Sequence, residues 1–309
     1  MKPRITVVGS VNMGLVFRTP RIPALGETIQ GHEFLQIPGG KGANQAVAAA
    51  RQGADVTFIG AIGDHGFGVV SRNCLDKEGI KLTYLNTMQQ VATGVAGILV
   101  EDAGDNSIVL AAGANALLTP AHIDAARNAI AATQFLVCQL ETPLPTVTHA
   151  IQLAKQLGVK VILNTAPVCA LDDALLKLVD YLILNETEAS QLSGISVVDQ
   201  ASAKLASQKL LQRGVATVLL TMGKHGAFMT DANGSFHHPA MKVQVVDSTA
   251  AGDTFVGAFA VGLANGLSLQ DASMEAQFTA ALTVTKLGAQ TSIPMRAEVL
   301  DFIATRHAA

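Results

Sequence analysis

The chain has no tryptophan and only two tyrosines, so it offers no aromatic platform on which nucleic-acid bases could stack. The 21 basic residues are outnumbered by 24 acidic ones, no Lys/Arg cluster occurs and the formal net charge is -3, which argues against broad electrostatic binding to nucleic acid. Cys74, Cys138 and Cys169 are too few and too scattered for a disulfide framework and lack zinc-site spacing. They read as ordinary, partly buried thiols. Gly, Asn or charge interrupts every apolar run before it reaches membrane-spanning length. The start, Met-Lys-Pro-Arg, leads directly into the strand-like Ile5–Val8 and then Gly9-Ser10, unlike a signal peptide. A cytoplasmic location is expected.

What remains is a compact pattern. The 309 residues are 49% hydrophobic and 15% charged, with 28 glycines, which suits one large well-buried domain or one with a modest appendage. Short β-branched runs at 5–8, 56–59, 135–139, 159–164, 181–184 and 216–221 alternate with helical stretches at about 42–52, 145–157, 186–192 and 199–213. That rhythm predicts a mainly parallel sheet covered by helices on both faces, with ligands beyond the carboxyl ends of the strands. Segments 12–38 and 92–112 break the rhythm and read as hairpin strands outside that sheet. Two readings are open: a small second sheet covering the ligand crevice, or edge hairpins packed on the body.

Residues 249–257, Thr-Ala-Ala-Gly-Asp-Thr-Phe-Val-Gly, form a small-residue turn between an expected strand at 243–246 and an expected buried helix at 255–263. Uncovered N–H groups at such a helix start can hold an anion, and Asp253 sets a carboxylate beside it. An acid there must handle a proton or work with a cation. A second glycine-rich segment, Pro38-Gly-Gly-Lys-Gly-Ala-Asn44, permits close backbone approach but has neither Walker nor dinucleotide-fingerprint spacing. It is either a tight packing turn or a polyol or phosphate site using Lys41 and Asn44. Glu141, Asn164, Asn185, Glu188 and the run Thr221-Met-Gly-Lys-His-Gly226 fall at expected strand ends. Each could cap the next helix, but together they suggest one crevice. The eight histidines form no ligand set, His237-His238 reads as an exposed turn, and Ser10 and Ser248 lack a nucleophile-elbow context.

Gly39-Gly-Lys-Gly-Ala-Asn44 and Asp247 through Gly257 resemble the two signatures of the ribokinase-like (PfkB) carbohydrate kinase family, and the likeness runs from the first strand to about Pro294. The resemblance implies an α/β three-layer sandwich with a small β-sheet lid, and ATP-dependent transfer of a phosphoryl group to the 5-hydroxyl of D-ribose. Asp253 would be the base, and the backbone of Ala250, Ala251, Gly252 and Asp253 the anion hole. Asn12, the position of Gly14, Gly40, Lys41, Asn44 and Glu141 would hold the sugar. Asn185, Glu188, Thr221, Gly223, Lys224, Gly226, Gly252 and Gln277 would serve the nucleotide, Glu188 organising Mg2+ through water. Asp247, Thr249, Thr283, Lys286, Gly288 and Ser292 would surround K+, several through backbone oxygens. The lid sheet would exclude water and form a homodimer contact.

One position departs from that pattern. Members of the family usually carry Asn-x-Asp after the first strand, whereas this chain reads Asn12-Met13-Gly14. Glycine has no side chain to accept hydrogen bonds from sugar hydroxyls, so weaker ribose affinity or a shifted sugar preference is expected. The alternatives are a deoxyribose kinase, another sugar or nucleoside kinase, or an inactive sugar-binding protein.

Overall fold

The structure, a computed structural model, describes residues 2–307. In chain order the elements are β1 (Arg4–Val8), β2 (Asn12–Thr19), β3 (Glu33–Gly39), α1 (Lys41–Arg51), β4 (Asp55–Gly63), α2 (Gly66–Lys77), β5 (Lys81–Met88), β6 (Gly94–Glu101) and β7 (Asn106–Ala111). There follow α3 (Pro120–Ala125), α4 (Arg127–Ala131), β8 (Phe135–Cys138), α5 (Leu144–Gln156), β9 (Lys160–Asn164), α6 (Asp173–Leu176), β10 (Tyr181–Asn185), α7 (Glu186–Ser193) and α8 (Gln200–Gln212). The chain closes with β11 (Thr217–Thr221), β12 (Ala227–Asp231), β13 (Gly234–His238), α9 (Ala251–Ala264), α10 (Leu269–Thr283) and α11 (Arg296–His307).

The large sheet has the order β13-β12-β11-β10-β9-β8-β1-β4-β5. All its pairings are parallel except those of the β11–β12–β13 meander. Its strands are apolar on both faces because both are covered. Val8, Leu136, Cys138, Val161 and Leu163 pack into one core cluster, while Ile5, Val7, Val137 and Ile162 pack into the other with Phe255 and Phe259 of α9. The α/β three-layer architecture is therefore as expected.

The two segments outside the rhythm join into one four-stranded sheet, β3-β2-β6-β7. β2 pairs antiparallel with β3 and parallel with β6, and β6 pairs antiparallel with β7. Only Gly9, Ser10 and Val11 separate β1 of the large sheet from β2 of the small one, so this joint lies at the carboxyl end of a central strand.

Several local expectations fail. Residues 243–246 form no strand: Val245 and Val246 are 63% and 57% exposed, and the segment is held instead by Val246 and Asp247 N–H groups on the Val284 carbonyl. A β-branched run without a ladder partner does not make a strand. His237-His238 lies in β13, not a turn. Cys138 is buried, but Cys169 is exposed. Among the described residues, no helix is long and apolar enough to cross a membrane.

Candidate active site

The Gly39–Asn44 segment wraps over the β1–β2 joint. Gly40 has φ of 95°, and a β-carbon on it would stand 2.7 Å from the Asn12 nitrogen, so only glycine fits there. It leads into α1, whose first residue, Lys41, donates its backbone N–H to Glu141 Oε2 at 3.0 Å. The same oxygen accepts from Ser10 Oγ at 2.5 Å and Asn12 Nδ2 at 3.3 Å. Asn12 Oδ1 in turn accepts from Asn115 Nδ2 at 2.8 Å. Thus Asn12, Gly40, Lys41 and Glu141, drawn from three separated stretches, meet at one end of the sheet.

Gly14 is buried two residues into β2. A β-carbon there would stand 3.1 Å from the Ile37 carbonyl and 3.8 Å from Ile98 Cδ1. No carboxylate stands at this position.

Asp253 occupies the first turn of α9 and is 8% exposed. Asn44 Nδ2 donates to its Oδ2 at 2.9 Å, and Gln45 Nε2 to its Oδ1 at 3.0 Å. Burial pushes its carboxyl above the ordinary value, and Glu141 adds to this, while Lys41, Asn44 and Gln45 act in the opposite direction. Burial disfavours the Lys41 ammonium, but the Asp253, Glu141 and Glu188 carboxylates prevail and raise its pKa. Opposite charges thus stabilise each other away from water.

The turn before Asp253 is shaped by Ala250, which adopts the left-handed conformation at φ 62°, a costly choice for a residue with a β-carbon. No side chain caps α9. Ala251 N–H reaches the Ser248 carbonyl at 3.2 Å, whereas Gly252 is exposed and a β-carbon on it would meet nothing within 4 Å. The positive end of the helix therefore opens onto free space.

That space is a cleft of about 1080 Å³ running along the carboxyl ends of β9, β10 and β11. Ala250, Ala251, Gly252, Asp253 and Lys41 line it together with Asn185, Glu188, Thr221, Gly223, Lys224, Gly226 and Gln277. Asn185 and Glu188 cap each other. Asn185 N–H and Nδ2 donate to the Glu188 carboxylate at 2.9 and 3.0 Å, and Glu188 N–H returns to Asn185 Oδ1 at 2.9 Å. Burial pushes the Glu188 carboxyl up, against the Asn185 N–H and the Lys41 charge. Gln277 Nε2 donates to the Pro239 carbonyl at 2.5 Å, tying α10 to the segment that borders the cleft.

Behind α9, Asp247 joins two loops. Its Oδ1 accepts from Thr249 N–H and Oγ1 at 2.9 and 2.7 Å, and its Oδ2 from Gly288 N–H at 2.9 Å. Burial opposes its charge, but these bonds prevail and its pKa is lowered. Thr283 Oγ1 is turned to Thr254 Oγ1, Ser292 Oγ to the Ala289 carbonyl, and Lys286 Nζ to Glu298. The Lys286 ammonium is thus taken up by Glu298, whereas the Thr283 and Ser292 hydroxyls spend their hydrogens and keep oxygen lone pairs.

The sequence pattern gives little sign that Ser10, Asn115, Gln45 and Gln139 belong to the hydrogen-bonded site. The last two are polar residues with no measurable exposure, and a glutamine inside the Ala-rich run after Asn44 was the signal that could have raised suspicion.

Residues 2–296 match the pfkB family carbohydrate kinase. The chain is 45% identical to a ribokinase from Haemophilus influenzae over 98% of its own length and 99% of the relative's. It is 37% identical to a deoxyribokinase from Salmonella typhi over 94% of this chain and 95% of that one. The solved structure of an Arabidopsis thaliana ribokinase complexed with ribose and ATP superposes with a TM-score of 0.93 at 31% identity, covering 98% of this chain and 99% of that one. Fold, site geometry and these similarities agree: the chain belongs to the pfkB family of carbohydrate kinases.

Proposed function

We propose that this kinase uses ATP to phosphorylate the 5-hydroxyl of D-ribose, with Asp253 as the base that takes the hydroxyl proton. The observation that carries the reading is the surroundings of Asp253. A buried carboxylate held by two side-chain amides, with a pKa raised by burial, stands at an uncapped helix start opening onto the cleft. A base with a raised pKa is a better proton acceptor, and the adjoining amides of Gly252 and Asp253 favour negative charge on the transferring phosphoryl group. Asn12, Gly40, Lys41, Asn44 and Glu141 would grip the sugar.

The cleft fits a nucleotide. Thr221, Gly223, Lys224, Gly226, Asn185 and Gln277 line it, and Glu188 beside the Lys41 charge suits a hydrated Mg2+. When bound, that ion would neutralise phosphate charge. The Asp247-tied loops, bordered by Thr249, Thr283, Lys286, Gly288 and Ser292, suit K+ held by hard oxygen donors. The small sheet would act as a lid. Its exposed Phe17, Phe34, Ile108, Val109 and Leu110 support a homodimer through that sheet, which light scattering on Val109→Asp would check.

A second reading is favoured by Gly14: a preference for deoxyribose or another sugar, because the position carries no hydroxyl acceptor. A coupled assay with ATP and magnesium on ribose, deoxyribose and other sugars, with and without potassium, decides. Ribose turnover supports the first reading. Turnover of another sugar with none on ribose rejects it.

A further inference from the structure

Behind Asp253 lies a row of buried amides. Gln45 and Gln139 have no measurable exposure and Asn164 is 8% exposed. Gln45 Nε2 donates to both Asp253 Oδ1 and Asn164 Oδ1, each at 3.0 Å, and Gln45 Oε1 accepts from Gln139 Nε2 at 2.6 Å. Asn164 Nδ2 donates to the Ile183 carbonyl at 3.0 Å.

The direction of every bond in this row follows from its end. A backbone carbonyl only accepts, so Asn164 must turn its NH2 to Ile183 and its oxygen to Gln45. Gln45 must then present NH2 to Asn164, which leaves its second hydrogen for Asp253 and its oxygen for Gln139. Gln139 completes the row as donor. A β-carbon at residue 9 would collide with Gln139 Oε1, so Gly9 gives that amide its room. The row joins the ends of β8, β9 and β10 to the start of α9, and every amide orientation in it favours donation to one carboxylate oxygen.

We propose that Gln45 is a positioning residue for phosphoryl transfer: its amide, oriented by Asn164 and Gln139, fixes the plane of the Asp253 carboxylate that receives the sugar proton. The proposal rests on the reading of Asp253 as the base. Charged groups acting on that carboxylate are Lys41 from α1, Glu141 beyond β8 and Glu188 from α7. Gln45 adds a neutral donor whose removal leaves those charges in place.

The test measures kcat, both KM values and the pH profile of kcat for Gln45→Met, Gln139→Met, Gln139→Glu and Asp253→Asn. Gln45→Met should lower kcat by about tenfold or more, because a hydrogen bond to a charged group is lost. Its KM values for sugar and ATP should stay within about threefold, and the acid limb should move to higher pH. Gln139→Glu removes the donor to Gln45 and favours turning the Gln45 amide, so it should cost more activity than Gln139→Met. An unmoved acid limb in Gln45→Met, with kcat and sugar affinity falling together, would overturn the proposal. So would a Gln139→Glu enzyme indistinguishable from Gln139→Met, and this pair decides the matter if Gln45→Met fails to fold. Asp253→Asn separates the two levels. Full turnover in it rejects the base itself, whereas an inactive Asp253→Asn beside unaffected Gln45 and Gln139 variants rejects only the positioning role.

Discussion

Gly14 faces Ile37 across the β2–β3 ladder, and a β-carbon at residue 14 would stand 3.1 Å from the Ile37 carbonyl oxygen. The space is tight but not closed, so a small shift of β3 would admit an aspartate. Gly14→Asp is expected to fold and, on the proposed reading of the sugar site, to add a further carboxylate acceptor there. A charged hydrogen bond of ordinary strength corresponds to a KM for ribose about ten- to a hundredfold lower. Steady-state kinetics on ribose and deoxyribose would check it. An unchanged ribose KM in a folded variant would mean that position 14 does not face the sugar.

Lys41 and Asp253 support each other's charges at the junction of α1 and α9. Burial raises the Asp253 pKa, and Lys41 opposes that rise. Removing the ammonium in Lys41→Met should therefore lift the pKa further. If Asp253 is the base, as proposed, its protonated form cannot accept a proton, and the acid limb of kcat moves to higher pH. Stability follows the same sign. A carboxyl with a raised folded pKa destabilises the fold once ionised, so Lys41→Met deepens that cost above the folded pKa. The difference from the parent should narrow as pH falls through that value. A pH–rate profile and thermal melts at several pH values measure both, and an acid limb moving to lower pH would contradict the assignment.

Asp247 links the loop before α9 to Gly288 through both carboxylate oxygens. Asp247→Ala removes the accepted bonds from Thr249 and Gly288 and frees the two loops from one another. If they bound a potassium site, half-maximal activation should need about tenfold more potassium. Titrating activity with potassium, at ionic strength held constant with a large organic cation, tests this. Equal activity across the titration in the parent enzyme would remove the cation from the mechanism.

The parts of this site that were legible in the sequence are those where backbone must approach closely or turn sharply. Only glycine fits at positions 40 and 42, because a β-carbon there would collide with the β1–β2 joint, and such close approaches leave glycines clustered in the chain. Buried strands also announced themselves, since both faces of the large sheet are covered. The amide row could not be read in this way. Gln45, Gln139 and Asn164 come from a helix and two strand ends, and only the fold shows that they hydrogen-bond in series, with Gln139 Oε1 left without a partner. Residues 243–246 failed for the converse reason: their composition suits a strand, but a strand also needs a partner.

Ala250 holds the left-handed backbone that precedes the first turn of α9. For alanine this conformation costs about 1–2 kcal/mol, a cost that glycine does not bear. Ala250→Gly should therefore raise stability by up to about 1 kcal/mol, once the greater freedom of glycine in the unfolded chain is set against the relief. The same freedom loosens the turn that carries Gly252 and Asp253, so, if their amides form the proposed anion hole, kcat should fall while nucleotide affinity holds. Thermal melts and single-turnover rates would measure the two effects. A variant less stable than the parent, with unchanged kcat, would show that the alanine imposes no strain and that the turn needs no rigidity.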